Sequence, residues 1–367
     1  MLTAFAILLV VHGLIHVLGT AKAFSWADLP QLTQPISVTF GALWLLAALL
    51  FLTTAVSLFV WPRVWWALGV CAVVVSMLVI VASWTDAKFG ALANAVVLVG
   101  VAFGFLSEGP YSLRAEYDRD VEGHVRAASD APVTDADLAH LPAPVQQYLR
   151  LAGVVGKARV HNFRVRMHGR IRNGRQDRWM PFSAEQYNVV DPAARLFYLD
   201  ASMFSIPAQG YHRYVGSSAS MRVKAAALVP VVAATGSEMT QGETVTMLND
   251  MCIMAPATLL EPTITWEAVD GCTARACFTN AGHSIRAELS FNEAGELTNF
   301  VSDDRFQVSA DGTAMKPVRW STPIRGYRTH GAMRLPAGGE GRWHDAEGEF
   351  AYIDVTIDDV QYNVRPR

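Results

Sequence analysis

The sequence predicts an α+β protein: a four-helix transmembrane anchor followed by an antiparallel, curved, half-barrel-like β-sheet domain with packed helices. Three observations carry this. Before Ser107 the only Asp, Glu, Lys or Arg residues are Lys22, Asp28, Arg63, Asp86 and Lys88, although the 367-residue chain holds 30 basic and 33 acidic side chains. Beyond Lys157 the apolar period becomes two, with turn residues between short runs. Between two groups of such runs lies one helical stripe.

Four apolar stretches, at roughly 2–19, 36–60, 64–84 and 88–106, reach or approach the ~20 residues that cross a hydrocarbon core. Trp61-Pro62-Arg63 separates the second from the third as a tight hairpin. Trp61, Trp65 and Trp66 suit the interface there, and Arg63 suits the headgroups. Gly41, Gly69, Gly90, Gly100 and Gly104 permit close helix approach. Ala21-Lys22-Ala23 has the small-x-small look of a signal cleavage site. The first stretch lacks a basic leader, however, and His12 and His16 interrupt it, so a retained helix is expected. Four spans put both ends on one side. Arg63, Arg114 and Arg119 against Lys22 and Lys88 favour a multi-pass cell-membrane protein whose soluble domain is cytoplasmic.

Residues 1–106 thus read as the transmembrane domain, 107–133 as a juxtamembrane linker or short helix, and 134–367 as the β-rich soluble domain. Thr134-Asp135 can cap a short helix, and Pro144 opens another that Gly153 and Gly156 end. Strands are expected around 160–168, 181–189, 195–201, 211–215, 220–225, 263–269, 272–279, 283–291, 296–302, 318–322 and 352–360. Asn173-Gly174, Asp270-Gly271, Asn280-Ala281-Gly282 and Asn292–Gly295 supply turns, so the strands form a meander. Thr240-Gln241-Gly242-Glu243 fits a capping box opening a helix with the stripe Val245, Leu248, Met251, Cys252 and Ala255. A sheet curved around that helix would bury the stripe.

The segments His12–His16 (HGLIH), Leu32–Ser37, Leu141–Leu149 (LPAPVQQYL), Trp179–Gln186 (WMPFSAEQ), Gly242–Asp250, Val301–Arg305 and Tyr362–Val364 resemble an uncharacterised family of bacterial membrane proteins with a domain of unknown function. The resemblance covers nearly the whole chain and implies no activity or catalytic residues. The meander with an inserted helix also looks like the lipoprotein-carrier (LolA-like) half-barrel, by pattern alone.

His12 and His16 share a helix face within the first stretch. They are candidate ligands for a metal or haem, or polar glue between helices, and no third ligand is evident in the other stretches. Glu243 is a capping residue or a general base. Asp303 and Asp304 point to opposite strand faces, and one is expected inward, paired with a strand arginine. Trp179, Phe182, Tyr187, Phe197, Tyr198 and Phe204 line an apolar pocket or form plain core. Cys272 and Cys277 face opposite ways, and with Cys252 they are expected unpaired. Net charge of −3 excludes a broad basic footprint for nucleic acid. There is no GxSxG, HExxH, P-loop or GxGxxG, so enzyme classes with such signatures find no support. The expected function is a membrane-tethered domain that binds or shields a lipid or other apolar small molecule. The alternatives are a metal- or haem-dependent membrane enzyme using His12 and His16, and a structural subunit of a membrane complex.

Overall fold

A computed structural model describes residues 2–124, 131–203, 206–309 and 312–365. It divides into two compact units, Met1–Glu116 and Tyr117–Arg367.

In the first unit the apolar runs become α1 (Leu2–Ala23), α2 (Val38–Val60), α3 (Trp65–Ala82), the single turn α4 (Trp84–Ala87) and α5 (Gly90–Glu108). Among the described residues, four helices are long and apolar enough to cross a membrane. Ser37 caps α2, its Oγ accepting from Phe40 N at 3.3 Å. Leu9, Phe51, Leu58, Ala72, Val97 and Val101 form the interior, while Leu14, Leu49, Val74 and Leu98 point outward. Outward leucine and valine are what a lipid-facing surface needs. Gly13 lets α1 approach α2, where an added Cβ would lie 3.0 Å from Phe51 Cβ. The loop before α2 is tied to α4: Asp86 accepts from Thr33 Oγ1 at 2.7 Å and from Gln34 N at 3.0 Å.

Helix α6 (Leu113–His124) spans the boundary between the units. In the second unit, α7 (Asp135–Leu138) starts at Thr134, whose N–H and hydroxyl donate to Asp137 Oδ2 at 2.7 and 2.8 Å. Helix α8 (Ala143–Ala152) carries Pro144 in its first turn and ends at Gly153, in left-handed backbone (φ 79°). Then come β1 (Asn162–Ile171), β2 (Met180–Val189), β3 (Ala194–Met203), β4 (Ile206–Val215), β5 (Ser218–Ala225) and β6 (Val229–Thr235), followed by α9 (Ser237–Met254). After the 3-10 turn Pro256–Leu260 come β7 (Ile264–Ala268), β8 (Thr273–Asn280), β9 (His283–Phe291), β10 (Leu297–Ser302), β11 (Phe306–Val308), β12 (Met315–Pro317), β13 (Arg319–Ser321), β14 (Tyr327–His330), β15 (Met333–Pro336), β16 (Gly338–Asp345) and β17 (Gly348–Tyr362).

Thirteen strands form one antiparallel sheet, in the order β6-β5-β4-β3-β2-β1-β17-β16-β13-β10-β9-β8-β7. Hairpins β11–β12 and β14–β15 stand apart from it. The seam is β1 against β17, with Phe163 opposite Tyr362 and Ile171 opposite Ile353. The expected curvature is present. Asn280 Nδ2, at the end of β8, donates to Gly216 O at 3.0 Å, just past the end of β4. Those strands are nine places apart in the order. In a flat sheet they would be roughly 40 Å apart, at ~4.8 Å per strand. The sheet therefore curls around α9, which is buried along almost its whole length.

Several expectations are corrected. Helix α9 begins at Ser237 after Gly236, so Thr240 lies inside it and donates to Gly236 O at 2.9 Å. The capping box is not formed, because Glu243 turns inward to an arginine instead. Asp303 stays on the surface 3.6 Å from Arg319, and Asp304 accepts from Arg286 N at 2.6 Å. The residue of that run that lines the interior is Arg305. Strands β6, β11, β12, β14, β15 and β16 were not expected. Residues 225–234 (AAALVPVVAA) and Gly338–Asp345 (GGEGRWHD) lack the polar–apolar alternation that marks a strand in sequence.

Candidate ligand cavity

The inner sheet face follows from the register. One row across the strands is Val165, Gln186, Phe197, His212 and Met221; the next is Met167, Ala184, Leu199, Gly210 and Val223. Gly210 adds no side chain, and Ala201 and Ala208 beyond it add little. In β16, an added Cβ on Gly339 would sit 2.7 Å from Pro323 O, and one on Gly341 would sit 2.6 Å from Ile353 Cγ2. Small residues thus hold back the wall while α9 fills only part of the concave side. The remainder is a cavity of about 350 Å³, walled largely by Met167, Phe197, Leu199, Met221, Val223 and Val355.

One side of this cavity is charged. Arg195 Nε donates to Asp250 Oδ2 at 2.6 Å, Nη1 to Glu243 Oε2 at 2.9 Å and Nη2 to Gln186 Oε1 at 3.1 Å. Gln186 Nε2 donates to Asp250 Oδ2 at 2.7 Å, and His212 Nδ1 lies 3.9 Å from Glu243 Oε1. Burial pushes the Glu243 carboxyl up, but Arg195, His212 and Arg305 together outweigh it and hold it at about 2. For Asp250 the balance reverses: burial raises it by more than Arg195 and Gln186 lower it. Arg305 enters from the opposite wall. Its Nη1 donates to Gly242 O at 2.6 Å and to Thr246 Oγ1, and its guanidinium lies over the rings of Trp320 (4.7 Å) and Trp343 (5.7 Å). Asn249 Nδ2 donates to Thr322 Oγ1 at 3.0 Å. The site therefore offers a mostly apolar volume with a fixed polar strip along α9, suited to a molecule with one apolar and one polar part.

Of the aromatic residues singled out in the sequence, Phe197 lines the cavity. Phe182 is core on the inner face, its Cε1 3.2 Å from where a Gly169 Cβ would be. Tyr187 and Tyr198 are buried on the opposite face of the sheet, where Tyr117 packs 5.8 Å from Tyr198 and 5.9 Å from Tyr211. Trp179 is partly exposed, with Arg170 and Arg172 over its ring at 4.7 and 4.5 Å. Phe204 lies outside the described residues. Gln186, Arg195, His212, Asp250 and Arg305 were not singled out as a site. The available signal was a polar residue at inward strand positions (Gln186, Asn188) together with Glu243 and Asp250 two helical turns apart. Cys252, Cys272 and Cys277 are free, as expected.

In the first unit, His12 Nε2 bonds Asn94 Oδ1 at 3.0 Å, His16 Nε2 bonds Ser76 Oγ at 2.8 Å, and His16 Nδ1 donates to His12 O at 2.8 Å. Asn94 Nδ2 donates to Ser76 Oγ at 2.9 Å. This is a hydrogen-bonded cluster linking α1, α3 and α5. Among the described residues no group of three His, Cys, Asp or Glu side chains is placed to hold a metal ion.

The class defined here is a helical unit with membrane-crossing dimensions joined to an open antiparallel sheet that encloses an apolar cavity. Residues 131–355 match the model of a family of unknown function, DUF6544, and the chain belongs to that family. No curated protein matches it. Among solved structures it is similar to a domain described as an outer membrane lipoprotein-sorting protein from Vibrio parahaemolyticus (8% identity, 55% of this chain and 85% of that one, TM-score 0.31). It is also similar to a DUF1329 family protein from Desulfovibrio piger (11%, 61% and 94%, TM-score 0.30) and to a LolA superfamily protein from Nitrosomonas europaea (9%, 62% and 90%, TM-score 0.27).

Proposed function

We propose that the β-rich unit binds a lipid or comparable amphiphile, held close to the bilayer by the four helices. The observation that carries this is the cavity itself: about 350 Å³ walled largely by Met, Leu, Val and Phe, with a charged strip along α9 faced by Arg305, and with Arg172, Glu238 and Glu340 also in its lining. Burying a methylene contributes about 0.8 kcal/mol, so an acyl segment of ~10 methylenes supplies ~8 kcal/mol before ordering costs. The polar end would lie along Arg305, Asn249 and the Arg195 cluster. We place this unit on the cytoplasmic side, on the basic excess of Arg63, Arg114 and Arg119 over Lys22 and Lys88. Labelling of a Ser217→Cys variant by an impermeant thiol reagent in intact cells would overturn that placement.

The test of binding compares lipid carried by the purified full chain with that carried by Val223→Trp, which fills the cavity. Lipid around the apolar helices is common to both, so the difference reports the cavity. Mass spectrometry should find a species that Val223→Trp loses while its melt is unchanged. Equal lipid in both proteins would sink the reading.

A further inference from the structure

Residues 225–234 (AAALVPVVAA) contain no polar side chain. They form the tip joining β5 to β6 and most of β6, the outermost strand of the sheet at that end. The tip is a built turn: Leu228 N donates to Ala225 O at 3.1 Å and Ala226 N to Pro207 O at 2.7 Å. Leu228 is 63% exposed and Val229 56%, with Ile206 (47%) at the start of the neighbouring strand β4. Such a patch on water is unfavourable and marks a contact surface.

The turn chemistry points the same way. Ala226 and Ala227 have φ of +50° and +58°, a backbone that favours Asn or Gly. The β8–β9 turn also holds an alanine in this backbone (Ala281, φ +45°), but there it is followed by Gly282 and preceded by Asn280, and the Asn292–Gly295 turn places Gly295 in it. Here apolar residues occupy positions where polar ones would turn more easily.

A second copy pairing along β6 is an unsuitable occupant. Pro230 has no N–H to offer a new strand, and a Cβ on Gly312 would meet Ala233 N at 3.1 Å, so a loop already closes over that edge. What remains exposed is apolar side chain, followed inward along β5 by Lys224, suited to headgroup depth. The chain also carries four helices of membrane-crossing length. Finally, the patch continues into the cavity. A register shift between Val223 and Lys224 leaves Val231 as the extra residue of a bulge, and both Val231 and Val232 line the cavity, Val231 while 37% exposed.

We propose that the Ala225–Ala233 tip enters the interfacial layer of a lipid bilayer and sets the cavity mouth there, so that lipid passes between membrane and cavity without crossing water. This rests on the cavity being a lipid site.

The test uses the full chain with Cys71→Ala, Cys272→Ser and Cys277→Ser, keeping buried Cys252. Leu228→Cys or Ser217→Cys then carries an environment-sensitive fluorophore; Ser217 is exposed at the other end of β5, roughly 25 Å away at ~3.3 Å per residue. The protein is reconstituted in phosphatidylethanolamine–phosphatidylglycerol vesicles containing nitroxide on the acyl chains. The expected result is a blue-shifted emission at position 228 that nitroxide lipid quenches and dilution of protein into lipid leaves unchanged, with position 217 unquenched. A label at 228 that reports water overturns the proposal, as does shielding without nitroxide quenching or shielding that fades on dilution, which would mean a second copy. Lipid loss in Val223→Trp with an aqueous label at 228 leaves the cavity reading standing and removes only the membrane port. Quenching at 228 with no lipid loss in Val223→Trp removes the cavity reading and the port with it.

Discussion

Arg195 Nε lies 2.6 Å from Asp250 Oδ2, which joins the inner face of β3 to α9 across the interior of the β-rich unit. The same guanidinium holds Glu243 at 2.9 Å, so one cation serves two buried carboxylates. Removing it takes the cation from Asp250 and leaves Glu243 only His212 and Arg305. Arg195→Met is expected to lower stability by about 3–5 kcal/mol, the usual cost of leaving a buried ion unpaired. Adding Glu243→Gln and Asp250→Asn should recover part of that loss in a thermal melt. No recovery in the triple variant would mean that Arg195 acts through packing and not through charge.

Acid should weaken the unit through Glu243. Its carboxyl is held at about 2 against an ordinary 4.5, so the folded chain takes up that proton less readily than the unfolded chain. The resulting stability is fully present above about 4.5 and drains as pH falls towards about 2. Asp250 acts in the opposite sense, because burial raises it; its penalty fades as pH falls through its raised value. Glu243→Gln should therefore melt below wild type at neutral pH and approach it across the acid interval. Parallel Tm curves at every pH would contradict this account of Glu243.

Two tyrosines hold the last turn of α9. Tyr148 OH donates to Cys252 O at 2.8 Å and Tyr362 OH to Met254 O at 2.6 Å, satisfying carbonyls that the helix itself leaves open. Tyr148→Phe keeps the ring and leaves a buried carbonyl short of a donor. A loss of about 1–2 kcal/mol is expected in denaturant unfolding. An unchanged midpoint would show that the carbonyl finds another donor.

Where the β-rich unit is cut should matter. Tyr117 covers Tyr198 and Tyr211, and Asp120 Oδ2 accepts from Tyr211 OH at 2.6 Å and Arg213 Nε at 2.9 Å. A fragment beginning before Tyr117 should melt cooperatively and at a higher temperature than one beginning at Leu141, which exposes those tyrosines. Equal melts would mean that the Tyr117–His124 turns add nothing to the fold.

His12 and His16 each have partners on other helices, so an amide should replace either with little effect. The expected cost of His12→Gln is below about 1 kcal/mol, in line with hydrogen bonds between membrane helices. Metal content and haem absorption should be measured on protein purified without a histidine tag. A stoichiometric metal lost in both His12→Gln and His16→Gln would make this cluster a ligand site instead.

The chain order of its elements was legible because it depends on local pattern. Four apolar runs, a period of two in His283–Phe291, and Gly153 and Asn280–Gly282 at their turns each specify a local structure that a neighbour has little power to change. The site was less legible because its meaning depends on partners distant in sequence. Thr240 and Glu243 have capping-box spacing, yet an arginine 48 residues earlier draws Glu243 inward, and burying one carboxylate against a guanidinium outweighs a surface cap. Phe197 and Tyr198 are adjacent aromatic residues that alternation puts on opposite faces, and only the curl of the sheet around α9 decides that Phe197 faces the cavity and Tyr198 lies beneath Tyr117. Strand β6 has no alternation to reveal it, since both its faces are apolar. Local periodicity thus determined the apolar helices and the eleven strands whose residues alternate, and the closure of a thirteen-stranded sheet on one helix decided which side chains face the hollow.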